Sequence, residues 1–161
     1  SEIIPDDVIK NNLCICLHPS PLPKYRGGSP LQNQIINGET LSAVTLFLMD
    51  EGIDTGDIIA QASLSLDGNL DEILDRMTLI GLSLTKHIFE NGYTRVKQDD
   101  SEATYYKRRT PDMSEITPEE LSHMDAEYLY NKIRMLQDPY PNAFIRTRDG
   151  KKLKIKIAEI E

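Results

Sequence analysis

His18-Pro-Ser-Pro-Leu-Pro-Lys-Tyr-Arg-Gly-Gly-Ser-Pro-Leu-Gln32 is the stretch around which the rest of the chain can be read. It follows a short apolar run, Leu13-Cys-Ile-Cys-Leu17, that reads as a buried strand. His18 therefore sits where that strand ends. Pro19, Pro21 and Pro23 oppose helix and ladder pairing, so the chain leaves the sheet as a stiff loop. Gly27 and Gly28 then allow a tight turn. Ser29-Pro-Leu-Gln32 restarts order, with Ser29 as helix N-cap, Pro30 at the first helical position and Gln32 reaching back as in a capping box. A titratable imidazole at the carboxyl end of a strand, before a rigid loop, is a usual place for a catalytic group in an α/β sheet.

The elements on either side fit that reading. Upstream, Asp6 and Asp7 suit the first turn of a short helix after a turn. The helix leads straight into the buried strand. A buried parallel strand needs neighbours on both sides, so further strands are expected before Ser1. Downstream, a short helix from Leu31 to Asn37 is closed by Gly38. Ser42 to Met49 is a second strand, and Asp50-Glu-Gly-Ile-Asp-Thr-Gly-Asp57 is a turn-rich acidic loop. Ile58 to Leu66 is a third strand. Asn69, with Glu72 three residues on, caps a long helix that Gly92 stops. Ile73, Met77, Ile80, Leu84 and Ile88 mark one apolar face of that helix.

Residues 93–116 are mostly irregular and polar. Within them Tyr105-Tyr-Lys-Arg-Arg109 combines aromatics with cations, as an acceptor-binding patch or as a solvated cationic strand. Thr117-Pro-Glu-Glu120 is a second capping signature, and a helix around Ala126 to Leu136 follows. Ala143 to Thr147 and Lys152 to Ile160 read as a hairpin around Asp149-Gly150, with Lys152, Lys154 and Lys156 on its solvated face.

Composition narrows the classes. The 161 residues suit one domain with an appendage. No apolar run approaches membrane-spanning length, and no signal peptide is visible. The net charge of −8 disfavours nonspecific nucleic-acid binding. Cys14 and Cys16 lie two apart on one strand and cannot readily bridge, so a reducing cytoplasm is the default compartment. Asp50 and Asp57 serve as turn formers. No His or Cys nearby completes a metal site, and no metal is expected.

His18 and Asp54 each lie just beyond a buried strand. If those strands are neighbours, both side chains reach one crevice. An Asp near a His holds the ring in one tautomer and stabilises its charged form. Such a pair can move a proton off an attacking amine and onto a leaving nitrogen. Lys24 and Arg26 on the Pro-rich loop flank that crevice and suit an anionic acceptor.

These residues carry a resemblance. The loop His-Pro-Ser-x-Leu-Pro-x-Tyr-Arg-Gly, followed by a helix, a strand and Ile53-Asp-Thr-Gly-Asp-Ile58, resembles the formyltransferases that use 10-formyltetrahydrofolate. That group includes methionyl-tRNA formyltransferase, glycinamide ribonucleotide transformylase and the sugar N-formyltransferases. Ile133-Arg134 and Pro139-Tyr-Pro-x-Ala-Phe144 are similar to the link toward those proteins' C-terminal β domain. The resemblance implies His18 and Asp54 as the catalytic histidine and aspartate. It also implies an α/β fold: the C-terminal part of a Rossmann-like core over residues 1–116, then a linker helix and small β extension over 117–161. The first strands and much of the pterin pocket would precede Ser1.

One position departs from the family pattern. That pattern reads Asn-x-His, the Asn amide donating to the formyl oxygen as it becomes an oxyanion; here the chain reads Cys16-Leu-His18. A thiol is a weak donor, and losing one oxyanion donor costs roughly 10²–10³ in rate. The sequence thus points to formyl transfer from 10-formyltetrahydrofolate to a primary amine, through His18, Asp54 and the Cys16 position. The acceptor is an amino sugar nucleotide or methionyl-tRNA; the acidic balance and short C-terminal segment lean to the sugar. Association into a homo-oligomer is compatible with this reading. The alternative is a catalytically lapsed homologue acting as a binding or assembly module.

Overall fold

The structure, a computed structural model, describes residues 4–161. The turn expected over the opening residues therefore falls partly outside the described residues. In chain order the elements are α1 (Asp6–Asn11), β1 (Ile15–His18), β2 (Arg26–Gly27), α2 (Pro30–Ile36), β3 (Leu41–Leu48), β4 (Ile58–Ser65) and α3 (Leu70–Asn91). Then come β5 (Tyr105–Tyr106), α4 (Pro118–His123), α5 (Ala126–Met135), β6 (Ala143–Arg146) and β7 (Lys152–Ile155). No helix among the described residues is long and apolar enough to cross a membrane.

β1, β3 and β4 form a sheet in that order, with β3 in the middle. Both pairings are antiparallel. This corrects the parallel arrangement expected for the first strand: the loop and α2 turn the chain round, so β3 returns along β1 in the opposite sense. β3 is buried almost throughout, as its run of β-branched and apolar residues requires. Its alternate residues divide the sheet's two faces. Val44, Leu46 and Leu48 pack with Leu64, Ile59, Leu70, Ile73 and Ile88 in two adjoining apolar clusters that α3 covers. Leu31 and Ile35 of α2 and Met135 of α5 complete the first cluster. Thr45 and Phe47 therefore belong to the opposite face.

The long helix begins as expected. Asn69 accepts from the Glu72 amide, and the Glu72 carboxylate accepts from the Asn69 amide. Of its apolar face, Ile73 and Ile88 are fully buried, whereas Met77, Ile80 and Leu84 are half-buried. Leu79, Leu82 and Phe89 on other sides of α3 are exposed. The bare Cα of Gly81 takes the Leu17 side chain: a Cβ there would lie 2.5 Å from Leu17 Cδ1.

Two local expectations are revised. Ser29 precedes α2 but does not cap it; it adopts a left-handed conformation, and its hydroxyl accepts from the Arg109 amide. The β6–β7 hairpin is short, and Leu153 is as solvated as its lysine neighbours. The clean apolar and cationic faces read from the alternation are therefore not formed along that strand.

α4 and α5 are tied by a buried ion pair. Lys132 is almost wholly enclosed and donates to both Glu120 oxygens (2.7 and 2.8 Å) and to the Glu115 carbonyl (2.6 Å). Burial pushes the Glu120 carboxyl up, but hydrogen bonds from Lys132 and the Thr117 amide more than offset it, so it ionises below its ordinary range. A depressed carboxyl stabilises the fold above its unfolded pKa and loses that contribution as pH falls through the folded value. Lys132→Met leaves the carboxylate without its partner and should cost about 3–5 kcal/mol at neutral pH. In urea melts the deficit should shrink on acidification, as Glu120 takes up a proton; a deficit unchanged by pH would contradict the pairing.

Candidate active site

His18 is the last residue of β1 and stands opposite Thr45 of β3. Strand alternation sends Cys16 and His18 to one face and Leu17 toward α3 on the other. The His18 side chain is buried, and its ring makes a T-shaped contact with Phe47 at 6.5 Å between centroids. The Pro-rich loop folds back over this face, and side chains satisfy its carbonyls. Thr45 Oγ1 donates to the Ser20 carbonyl (2.6 Å), Gln34 Nε2 to the Pro19 carbonyl (2.7 Å) and Ser20 Oγ to the Lys24 carbonyl (2.7 Å).

The ring's protonation follows from its partners. His18 Nε2 lies 2.9 Å from the Tyr25 carbonyl oxygen. A carbonyl only accepts, so Nε2 carries the proton and Nδ1 is the basic nitrogen of the neutral ring. Nδ1 faces Asp54 Oδ2 at 3.6 Å. That is too long for a strong hydrogen bond but close enough to stabilise an imidazolium.

Asp54 sits in the loop after β3, in a left-handed conformation (φ 56°) that Asp tolerates better than most residues. Its Oδ2 accepts from the Gly27 amide at 2.7 Å. Its own carbonyl, with that of Gly56, accepts from Gln98 Nε2 (2.9 and 2.7 Å). Gly56 passes so close to β3 that a Cβ would fall 1.6 Å from the Leu48 carbonyl. Asp50 fixes the start of the loop, accepting from the Gly52 amide and the Thr55 hydroxyl.

Cys16 is half-buried on the face that carries His18. Burial pushes its thiol pKa up, and the Asp54 carboxylate raises it further, so the group stays a neutral thiol. Lys24 is exposed on the loop. Arg26, expected at the crevice mouth, is instead turned inward and is 1% exposed. It donates from Nε (3.0 Å) and Nη2 (2.8 Å) to Gln98 Oε1, and from Nη1 to the Tyr105 hydroxyl (2.6 Å), beside Asp100 (2.9 Å). The structure thus joins His18, Asp54 and Cys16 but withdraws Arg26 from solvent.

Gly27 and Gly28 serve close approach as well as turning. A Cβ on Gly27 would lie 2.4 Å from the Tyr106 carbonyl, and one on Gly28 2.3 Å from the Arg108 amide. The Tyr105–Arg109 segment is therefore part of the loop's support. Tyr106 stacks on Tyr25 at 4.8 Å. The Tyr25 hydroxyl donates to Glu39, and burial is the main reason its pKa is pushed up to about 12. A hollow of about 300 Å³ beside the loop is lined by Gly27, Gly28, Gln32, Met77, Arg108, Tyr140 and their neighbours, and does not include His18 or Asp54. Among the described residues no three His, Cys, Asp or Glu side chains are grouped to hold a metal ion.

Two contributors escape a reading by motif. Thr45 had a signal: a polar residue inside a buried apolar run needs a partner. Gln98 had none, since it lies in an irregular polar stretch and is brought to the site only by tertiary packing.

The chain resembles known proteins over most of its length. The formyl transferase family matches residues 1–78, which include both His18 and Asp54. A methionyl-tRNA formyltransferase of Campylobacter curvus is 38% identical over 98% of this chain and 52% of its own length. The structure of a methionyl-tRNA formyltransferase from Clostridium thermocellum is 34% identical with a TM-score of 0.82, covering 96% of this chain and 72% of that one. A 4-N formyltransferase from Francisella tularensis is 26% identical with a TM-score of 0.82, covering 99% and 68%. The chain thus spans about half the length of the curated relatives it matches. At 34% identity to a solved methionyl-tRNA formyltransferase over 96% of this chain and 72% of that one, and with the family match over residues 1–78, this protein belongs to the formyltransferase family.

Proposed function

We propose that the protein containing this chain transfers a formyl group from 10-formyltetrahydrofolate to a primary amine, with His18 and Asp54 as the catalytic pair. The observation that carries the proposal is the basic Nδ1 of a buried histidine facing a carboxylate that is itself held by a backbone amide. Those are the parts an acyl transfer between nitrogens needs. The amine nitrogen attacks the formyl carbon, and the carbonyl electron pair moves onto oxygen. The attacking nitrogen releases a proton to His18, and Asp54 compensates the imidazolium charge. When the bond to the folate nitrogen breaks, that nitrogen takes the proton, and the ring returns to neutral.

Higher identity to methionyl-tRNA formyltransferases than to the 4-N formyltransferase favours methionyl-tRNA as acceptor. This reverses the preference for an amino sugar drawn from composition. Lys24 remains the candidate contact for an acceptor phosphate, whereas the buried Arg26 does not. In this proposal residues 117–161 form the linker and small β extension.

The direct test supplies 10-formyltetrahydrofolate with methionyl-tRNA or an amino sugar nucleotide to the full-length protein. Formylation of methionyl-tRNA is expected, with a loss of roughly 10²-fold or more in His18→Ala and Asp54→Asn. Formylation of the sugar alone would reassign the acceptor. No transfer to either would support the binding-module reading.

Cys16 yields a second prediction. A neutral, half-buried thiol is a poor donor to an oxyanion. Cys16→Asn should therefore raise the single-turnover rate, by up to about 10²-fold where the geometry is kept. Substrate affinity should change less, because such a donor acts on the transition state. A folded variant that is no faster would show that the oxyanion is stabilised from elsewhere.

A further inference from the structure

Arg26 is the largest fully buried charged side chain among the described residues, and its surroundings are polar. A buried guanidinium is costly unless its donors are satisfied, and an apolar side chain of similar size would fill the space at less expense. Its donors converge on Gln98 Oε1, the Tyr105 hydroxyl and Asp100. The amide orientation of Gln98 is fixed by chemistry. Arg26 can only donate, so the oxygen must face it; the Asp54 and Gly56 carbonyls can only accept, so the nitrogen must face them. Gln98 thus spans the gap between β2 and the aspartate loop, gripped on both sides.

The register adds to this. Arg26 lies between Tyr25, whose carbonyl holds His18, and Gly27, whose amide holds Asp54. The Asp54 carboxylate has that one amide, while its backbone, in a sparsely populated conformation, has Gln98. We infer that Gln98, anchored by Arg26, is a positioning residue that sets the placement of Asp54 against His18. Its effect on rate rests on the formyl-transfer reading above; its effect on His18 does not.

The experiment records the His18 ring ¹H and ¹⁵N resonances by NMR at one pH in the full chain, in parent and Gln98→Met, each with Asp54 and with Asp54→Asn. The groups around the ring are the Asp54 carboxylate, the neutral Cys16 thiol, the Phe47 ring and the Tyr25 carbonyl. Loosening Asp54 should shift the His18 Nδ1 resonance, because that nitrogen faces Asp54 Oδ2 at 3.6 Å. In the Asp54→Asn background Gln98→Met should shift it no further, because the effect runs through Asp54. Formyl transfer should fall about 10-fold or more in kcat, with KM for the donor little changed. A folded Gln98→Met with an unmoved His18 Nδ1 resonance, or with the same shift in both backgrounds, overturns the inference. Should Gln98→Met not fold, Gln98→Asn takes its place with the same expectations, being too short to reach both Arg26 and the carbonyls. If the parent transfers no formyl group, the ring resonances still decide the inference, while the formyl-transfer reading fails separately.

Discussion

Two backbone groups at β2, the Tyr25 carbonyl just before it and the Gly27 amide within it, hold the two halves of the site, and the rest of the structure keeps them there. The carbonyl sets the tautomer of His18, and the amide fixes an oxygen of Asp54. β2 is only two residues long, too short to stand alone, and is kept in place by β5 alongside it. The Arg26 amide donates to the Thr104 carbonyl and the Gly28 amide to the Tyr106 carbonyl, both at 2.8 Å. That approach tolerates no Cβ at 27 or 28, which ties the paired glycines to the chemistry and not only to a change of direction.

The three-stranded sheet divides its work between its faces. Val44, Leu46 and Leu48 sit under α3 and supply apolar burial, the main source of stability. Thr45, Phe47, His18 and Cys16 look the other way, under the Pro-rich loop. A polar face is costly to enclose, and the loop offsets this by offering the Ser20 carbonyl to Thr45. The loop thus closes over this face while Nδ1 of His18 is directed at the Asp54 carboxylate.

Much of this was legible in the sequence. His18 at a strand end, the stiff loop, the capped α3 and the aspartate loop follow from local rules, because apolar periodicity, proline and capping pairs act over a few residues. What the sequence hid was set by partners far along the chain. Arg26 looked like a solvent-facing cation because nothing near it signals Gln98, 72 residues away, as its acceptor. Ser29 looked like a cap because its spacing to Gln32 is right, yet its hydroxyl is taken by Arg109. The antiparallel return of β3 was missed because an apolar strand reads the same in either direction. The family resemblance suggested the roles proposed for His18 and Asp54, which spacing alone left open.

The central claim is that the Tyr25 carbonyl leaves Nδ1 of His18 as the base facing Asp54. Long-range ¹H–¹⁵N correlation spectra of the neutral His18 ring test it most directly. The account predicts a ring protonated on Nε2, with a bare Nδ1 whose resonance moves in Asp54→Asn. A neutral ring protonated on Nδ1, or an Nδ1 resonance that ignores Asp54→Asn, would contradict it.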